Sequence, residues 1–156
     1  MKRKTIFLSL ALILPVMVFV FLKIFGKNKF EIPVFHDKKV ELVAGCDYKY
    51  TAPYLLPDSA LGAIGWKGNE ATLIMFSKME GEGKMRLTEK FEPTRLQIVT
   101  LVKEDGKKLK CAFLLSDKFN AVLVDQKKRI RGYYQLSNRE ETDRLMVELS
   151  ILLNDY

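Results

Sequence analysis

The sequence predicts an α/β domain, a mixed sheet flanked by helices, preceded by one N-terminal transmembrane helix. Three observations carry that reading. Thr5 to Leu22 (TIFLSLALILPVMVFVFL) is an 18-residue run without a charge. ATLIMFS (Ala71 to Ser77) and LQIVTLV (Leu96 to Val102) are continuous apolar runs, the mark of strands buried on both faces. VLVDQKKRIRGYY (Val122 to Tyr134) reads as a hairpin that feeds a C-terminal helix.

The 156 residues have room for one domain plus an appendage. Residues 1–29 are the appendage: cytoplasmic tip, anchor and linker. The charge-free run falls inside the roughly 17–25 residues that span a bilayer as a helix, and a membrane helix tolerates a central proline such as Pro15. The run is longer than a signal-peptide core of about 7–15 residues, and LKIFGKNKF after it offers no small-x-small cleavage site. An uncleaved anchor is therefore expected. Lys2, Arg3 and Lys4 with the free amine precede the span, against Lys23, Lys27 and Lys29 after it. The positive-inside rule then puts residues 30–156 outside the cytoplasmic face of a cell inner membrane.

The net charge of +7 does not point to nucleic acid. Residues 1–29 hold six of the 26 basic residues and none of the 19 acidic ones, so the remainder stands at 20 against 19. The excess belongs to the membrane flanks, and no basic stripe is left to track a phosphate backbone.

Residues 30–156 read in order as follows. FEIPVF (Phe30 to Phe35) is a short apolar stretch, HDKK turns, and VELV (Val40 to Val43) is a second short strand candidate. Ala44 to Gly68 is rich in Gly, Pro, Asp and Tyr, with one turn of helix around Ser59 to Ile64; it is too apolar for disorder and is expected to pack on the domain. After the strand Ala71 to Ser77, Glu82 to Phe91 reads as a helix with Met85, Leu87 and Phe91 among its apolar positions. Leu96 to Val102 is a second buried strand closed by an EDG turn, and KCAFLL (Lys110 to Leu115) a third strand candidate. Ala121 to Asp125 and Arg129 to Tyr134 pair over a QKK turn. Ser137 with Glu140 forms a capping box, opening a helix with Leu145, Met146, Leu149, Leu152 and Leu153 on its apolar face. The first strand–helix–strand unit implies a parallel pair, and the hairpin adds antiparallel strands. That is the plan of a thioredoxin-like domain.

The hairpin VLVDQKKRIRGYY and the helix DRLMVELSILL (Asp143 to Leu153) resemble the C-terminal part of the Sco/SenC proteins. The resemblance covers residues 30–156 in outline and is specific from Ala121 onward. It implies a membrane-anchored, thioredoxin-like protein linked to copper delivery and cytochrome c oxidase assembly. The family binds copper through a CxxxC loop after the central strand and a distant histidine. Here the loop is SKMEGEGKM (Ser77 to Met85), without cysteine, and Phe119 and Asn120 stand where the histidine would precede VLVD. The resemblance therefore implies the frame without the copper ligands. The expectation is a non-catalytic binding or assembly factor for a respiratory oxidase or a copper-handling protein, with no cofactor. The alternative is a copper or thiol–disulfide redox protein using Cys46 and Cys111 in a rearranged site.

Cys46 and Cys111 lie 65 positions apart, and three readings stand for them: a structural disulfide, a relocated metal or redox pair, or two unrelated thiols. His36, the sole histidine, sits in a polar turn and reads either as a solvated side chain or, with both cysteines, as a copper(I) ligand set. Met75, Met79 and Met85 are soft donors but read first as core filling. Asp125 reads as a turn former. Glu80, Glu82 and Asp58 show no paired spacing, and Gly81 and Gly83 lack the remainder of a phosphate loop. Tyr48, Tyr50, Tyr54, Leu55, Leu56 and Trp66 have the composition of an interaction surface, unless they simply cover the sheet.

Overall fold

The computed structural model describes residues 2–25, 31–41, 43–46, 50–79, 81–101 and 106–154. The chain divides into two compact units, residues 1–30 and 31–156. The first holds helix α1, Lys2–Phe25, with Pro15 inside it. Its described side chains from Ile13 to Leu22 are exposed apolar groups except Pro15, which is exposed as well. Among the described residues no helix is long and apolar enough to cross a membrane.

The second unit is a mixed α/β domain. Its elements are α2 (Asp58–Ala63), β1 (Ala71–Met75), α3 (Glu82–Lys90), β2 (Leu96–Thr100), α4 (Gly106–Ala112), β3 (Ala121–Asp125), β4 (Ile130–Tyr134) and α5 (Arg139–Leu152). The strands form one sheet in the order β2-β1-β3-β4. β1 runs parallel to β2 and antiparallel to β3, and β4 is antiparallel to β3.

Alternation along the strands divides the core in two. Ala71, Leu73 and Met75 of β1 join Ala121 and Leu123 of β3 in a cluster with Leu87 and Phe91 of the α3 segment and Leu145, Met146 and Leu149 of α5. Ile74, Val122 and Val124 face the other way, onto Ala60 and Leu61 of α2 and onto Phe113, Leu114 and Leu115 after α4. β1 and β3 are buried along their whole length, which explains why their sequences carry no polar alternation.

A register shift between Leu123 and Val124 leaves Arg131 as an extra residue in β4. The bulge turns its guanidinium to Asp125 and to the Ile32 carbonyl. Gly132 is required one position on, because the Tyr134 ring lies where a Cβ would stand.

Several expectations are corrected. KCAFLL is not a strand: Lys110 to Ala112 finish α4. Leu115 N donates to Lys110 O at 2.9 Å and Leu114 N to Cys111 O at 3.1 Å, the pair of bonds of a Schellman stop. Leu114 holds the left-handed conformation there (φ 49°), a position normally given to glycine, so no stop signal was visible. β2 is a sheet edge, half-buried over Gln97 to Val99, and not a fully buried strand. The helix cap is Asn138, whose side chain accepts from Glu140 N, and not Ser137. Neither FEIPVF nor VELV forms a strand in its described residues. Met85 is exposed, while Leu87 and Phe91 fill the core. Phe30, Leu42, Glu80 and the turn residues Glu104 and Asp105 lie outside the described residues.

Candidate functional site

The loop after β1 begins at Phe76 and leads through Ser77, Lys78 and Met79 to Gly81, which precedes α3 with φ 77°. Met79 is buried against the α5 side and lies beside Gly83 and Thr142, so its sulfur is packed into the core. Met75 is buried in β1 and Met85 points outward, so the three methionines share no common site. At the corresponding edge of β3, Asn120 N donates to Tyr134 O and its side-chain oxygen accepts from Leu136 N. Asn120 thus ties two strands where the resemblance expects a histidine.

Cys46 and Cys111 form a disulfide, with Cα atoms 5.5 Å apart. It joins the segment before α2 to the last turn of α4. Oxidised, the pair offers no thiolate to a metal or to an incoming disulfide. Cys111 stands on a helix, so its expected place in a strand is corrected. Among the described residues no group of three or more His, Cys, Asp or Glu side chains stands together to hold a metal ion, so His36, Cys46 and Cys111 form no three-ligand set.

His36 is half-buried, not solvated. Its Nε2 lies 3.0 Å from the Tyr133 hydroxyl, and burial holds the imidazole below its ordinary range, against smaller opposing effects of Glu41 and the Lys39 backbone. The Tyr133 hydroxyl donates to Phe113 O at 3.1 Å. Tyr54 donates to Ala112 O at 2.6 Å and Tyr50 to Cys111 O at 2.7 Å. Three consecutive carbonyls at and just past the end of α4 thus each accept a tyrosine hydroxyl, Cys111 O in addition to its bond from Leu114 N. Burial raises the Tyr54 hydroxyl to about 12 and raises Tyr133 as well. Both phenols therefore stay protonated as donors at neutral pH.

The expected interaction surface divides. Tyr54 and Leu56 are buried against the sheet, packed with Leu61, Ile74 and Val122, and are not available as contact residues. Tyr50 and Trp66 are half-buried against the same cluster, the Trp66 ring lying 5.9 Å from the Lys128 ammonium. Leu55 is exposed, as is Phe35 beside Tyr133. Tyr48 lies outside the described residues. Of the five that are described, only Leu55 is exposed.

Asp125 is more than a turn former. It accepts from Lys127 N and Arg129 N at the turn, and its second oxygen meets the Arg129 and Arg131 guanidiniums at 2.8 and 3.2 Å while only 4% exposed. Two guanidiniums compensate the buried carboxylate, which fastens the turn to β4. Sequence reasoning missed the role of Tyr133 and Arg131. The run IRGYY showed their types, but only the bulge and the left-handed end of α4 bring them to their partners.

Compared with family models, with curated proteins and with solved structures, the chain finds no match.

Proposed function

We propose that this chain is a membrane-anchored, non-catalytic, thioredoxin-like protein of the Sco/SenC type, acting as a binding or assembly factor for a respiratory oxidase or a copper-handling partner. The observation that carries the reading is the sheet. Its order β2-β1-β3-β4, with β1 and β2 parallel and β3 and β4 antiparallel, supports a thioredoxin-like reading. The loop after β1 and the turn before β3 carry no thiol and no imidazole at the positions where the resemblance expects copper ligands. The anchor rests on the 18-residue charge-free run and on the exposed apolar side chains of α1, which in water leave a large apolar surface uncovered.

A second reading has one observation in its favour. Cys46 and Cys111 are within bridging distance, so reduction frees two adjacent thiols, a soft donor pair suited to copper(I). Oxidase activity in membranes of cells lacking the chain separates the two. Restoration by both the wild type and the Cys46→Ser, Cys111→Ser variant, together with loss on deleting residues 2–25, is the expected result. Restoration by the wild type alone, with tight copper(I) binding by the reduced protein, replaces it with the second reading. Unaltered oxidase activity in cells lacking the chain refutes the oxidase role.

A further inference from the structure

We infer that β2 is a docking edge for a second copy of this chain, the two β2 strands pairing antiparallel about a dyad at Ile98 and joining two sheets into one. The sheet ends at β2 on one side and at β4 on the other. The two ends are treated differently. At β4 a bulge breaks the register, Phe35 N donates to Ile130 O at 2.9 Å, and the Arg131 guanidinium bonds Ile32 O. A bulge, an inward-turned charge and a covering stretch of chain are devices by which proteins blunt a sheet edge. Among the described residues β2 carries none of them. Leu96–Thr100 pairs with β1 at consecutive positions without a shift, and LQIVT holds no charge, proline or glycine. The nearest charge before it, Arg95, is bonded to Glu70 and to Leu153 O.

Which groups the edge offers follows from the ladder. Arg95 O accepts from Ala71 N at 3.1 Å, and Leu101 N donates to Met75 O at 2.8 Å. Residues 95, 97, 99 and 101 therefore turn their backbone groups to β1. Ile98 and Thr100 turn theirs outward, as does Leu96, whose N–H is already given to Glu92 O at 2.9 Å. Thr100 is exposed and Ile98 half-buried. An outward row of this kind is a template for an extended strand.

A second β2 fits the template. With Ile98 opposite the partner's Ile98, each Ile98 N–H meets the other's carbonyl, and each Thr100 N–H meets the other's Leu96 O. Side chains then pair Ile98 with Ile98 and Leu96 with Thr100 on the face of α3 and α5, and Gln97 with Val99 on the other. No charge is brought against its own copy, the penalty that a charged edge imposes on self-pairing. The contact is isologous and closes at two chains, because each sheet then ends at its blunted β4 edge. A strand pair alone covers less than the roughly 800 Å² per partner of a standard interface, so the dimer is expected to dissociate on dilution.

The test is the mass of the full chain in detergent by light scattering from about 1 μM to about 200 μM, with hydrogen exchange at both ends of the range. A dimer is expected at the high end and a monomer at the low end. Amides of Ile98 and Thr100 are expected to exchange at least about tenfold more slowly in the dimer, while those of β3 do not change. Thr100→Pro removes an outward N–H, breaks no bond to β1 and replaces an exposed side chain. It is expected to stay monomeric with β3 still protected, whereas Thr100→Ala keeps the N–H and dimerises like the wild type. Should Thr100→Pro not fold, the exchange of the wild type decides alone. Three results overturn the proposal. One is a wild type that is monomeric throughout, which leaves the edge to a strand of another protein. Another is a dimer that a folded Thr100→Pro does not dissociate, which puts the contact elsewhere. The third is a dimer without slower exchange at Ile98 and Thr100.

Discussion

The sheet and the segment that covers it are held by different physics. β1 and β3 are buried from end to end, and every neighbour of Leu73, Ile74, Leu123 and Val124 contributes to excluding water. The described residues between Glu31 and Trp66 are held to the domain at separate points: the Arg131 bond to Ile32 O, the His36 contact with Tyr133, the Tyr50 and Tyr54 hydroxyls, one disulfide, and the side chains of Tyr54, Leu56 and α2. Burial is diffuse, so the sheet loses stability in proportion to the volume removed. Point ties are discrete, so the segment loosens one fastening at a time.

That contrast makes graded predictions. Leu123→Ala removes a fully buried side chain from the middle of β3 and is expected to cost about 2–5 kcal/mol in urea unfolding, leaving the segment's ties formed in the remaining folded protein. A cost well under 1 kcal/mol indicates a core that collapses around the change and breaks the contrast. Tyr54→Phe keeps the ring but orphans the Ala112 carbonyl, and about 1–2 kcal/mol is expected. Its effect is expected as faster exchange around residues 50–56, not in β1 or β3. Asn138→Ala is expected to cost about 1 kcal/mol through loss of the bond from Glu140 N, while Ser137→Ala changes melting little. Equal effects of the two changes restore the capping box read from the sequence.

The smallest effects are those of pH. Tyr54 is raised from 10.0 to about 12, so the folded state keeps a proton that the unfolded chain releases. Stability from this group is complete below pH 10 and is lost as pH climbs toward 12, and tyrosinate absorbance should rise late in the native protein. His36 is lowered from 6.5, so the folded state resists a proton that the unfolded chain accepts. Its contribution is complete above 6.5 and falls away as pH drops below that value. His36→Asn, which tolerates the left-handed backbone at that position (φ 58°), is expected to flatten the acid side of a melting-temperature profile. A profile unchanged by the substitution removes His36 from the account.

The sheet was legible because its signal is local and repetitive. ATLIM, AVLVD and the hairpin turn announce themselves within a few residues, and α5 follows from the 3.6-residue spacing of Leu145, Met146 and Leu149. Of the covering segment, only its packing on the sheet and the turn of helix near Ser59 were legible. Its order comes from partners 58 to 99 residues away, such as Tyr54 with Ala112 and Arg131 with Ile32, and no periodicity encodes such pairs. α4 was misread for a similar reason: a left-handed leucine ends it, and CAFLL without a glycine looks like a strand. The candidate site was legible in residue type alone. Cys46, Cys111, His36 and the tyrosines were marked in advance, but which of them meet was settled by the end of α4.

The bond from Arg131 to Ile32 spans 99 residues and that from His36 to Tyr133 spans 97. A ribosome makes the N-terminal partner of each bond well before the other. These N-terminal residues are thus among the first parts of the domain to emerge, and the ties at Ile32 and His36 have no partner until β4 has been made. During synthesis Cys46, Tyr50 and Tyr54 meet their partners at the end of α4 first, and Ile32 and His36 are fastened last.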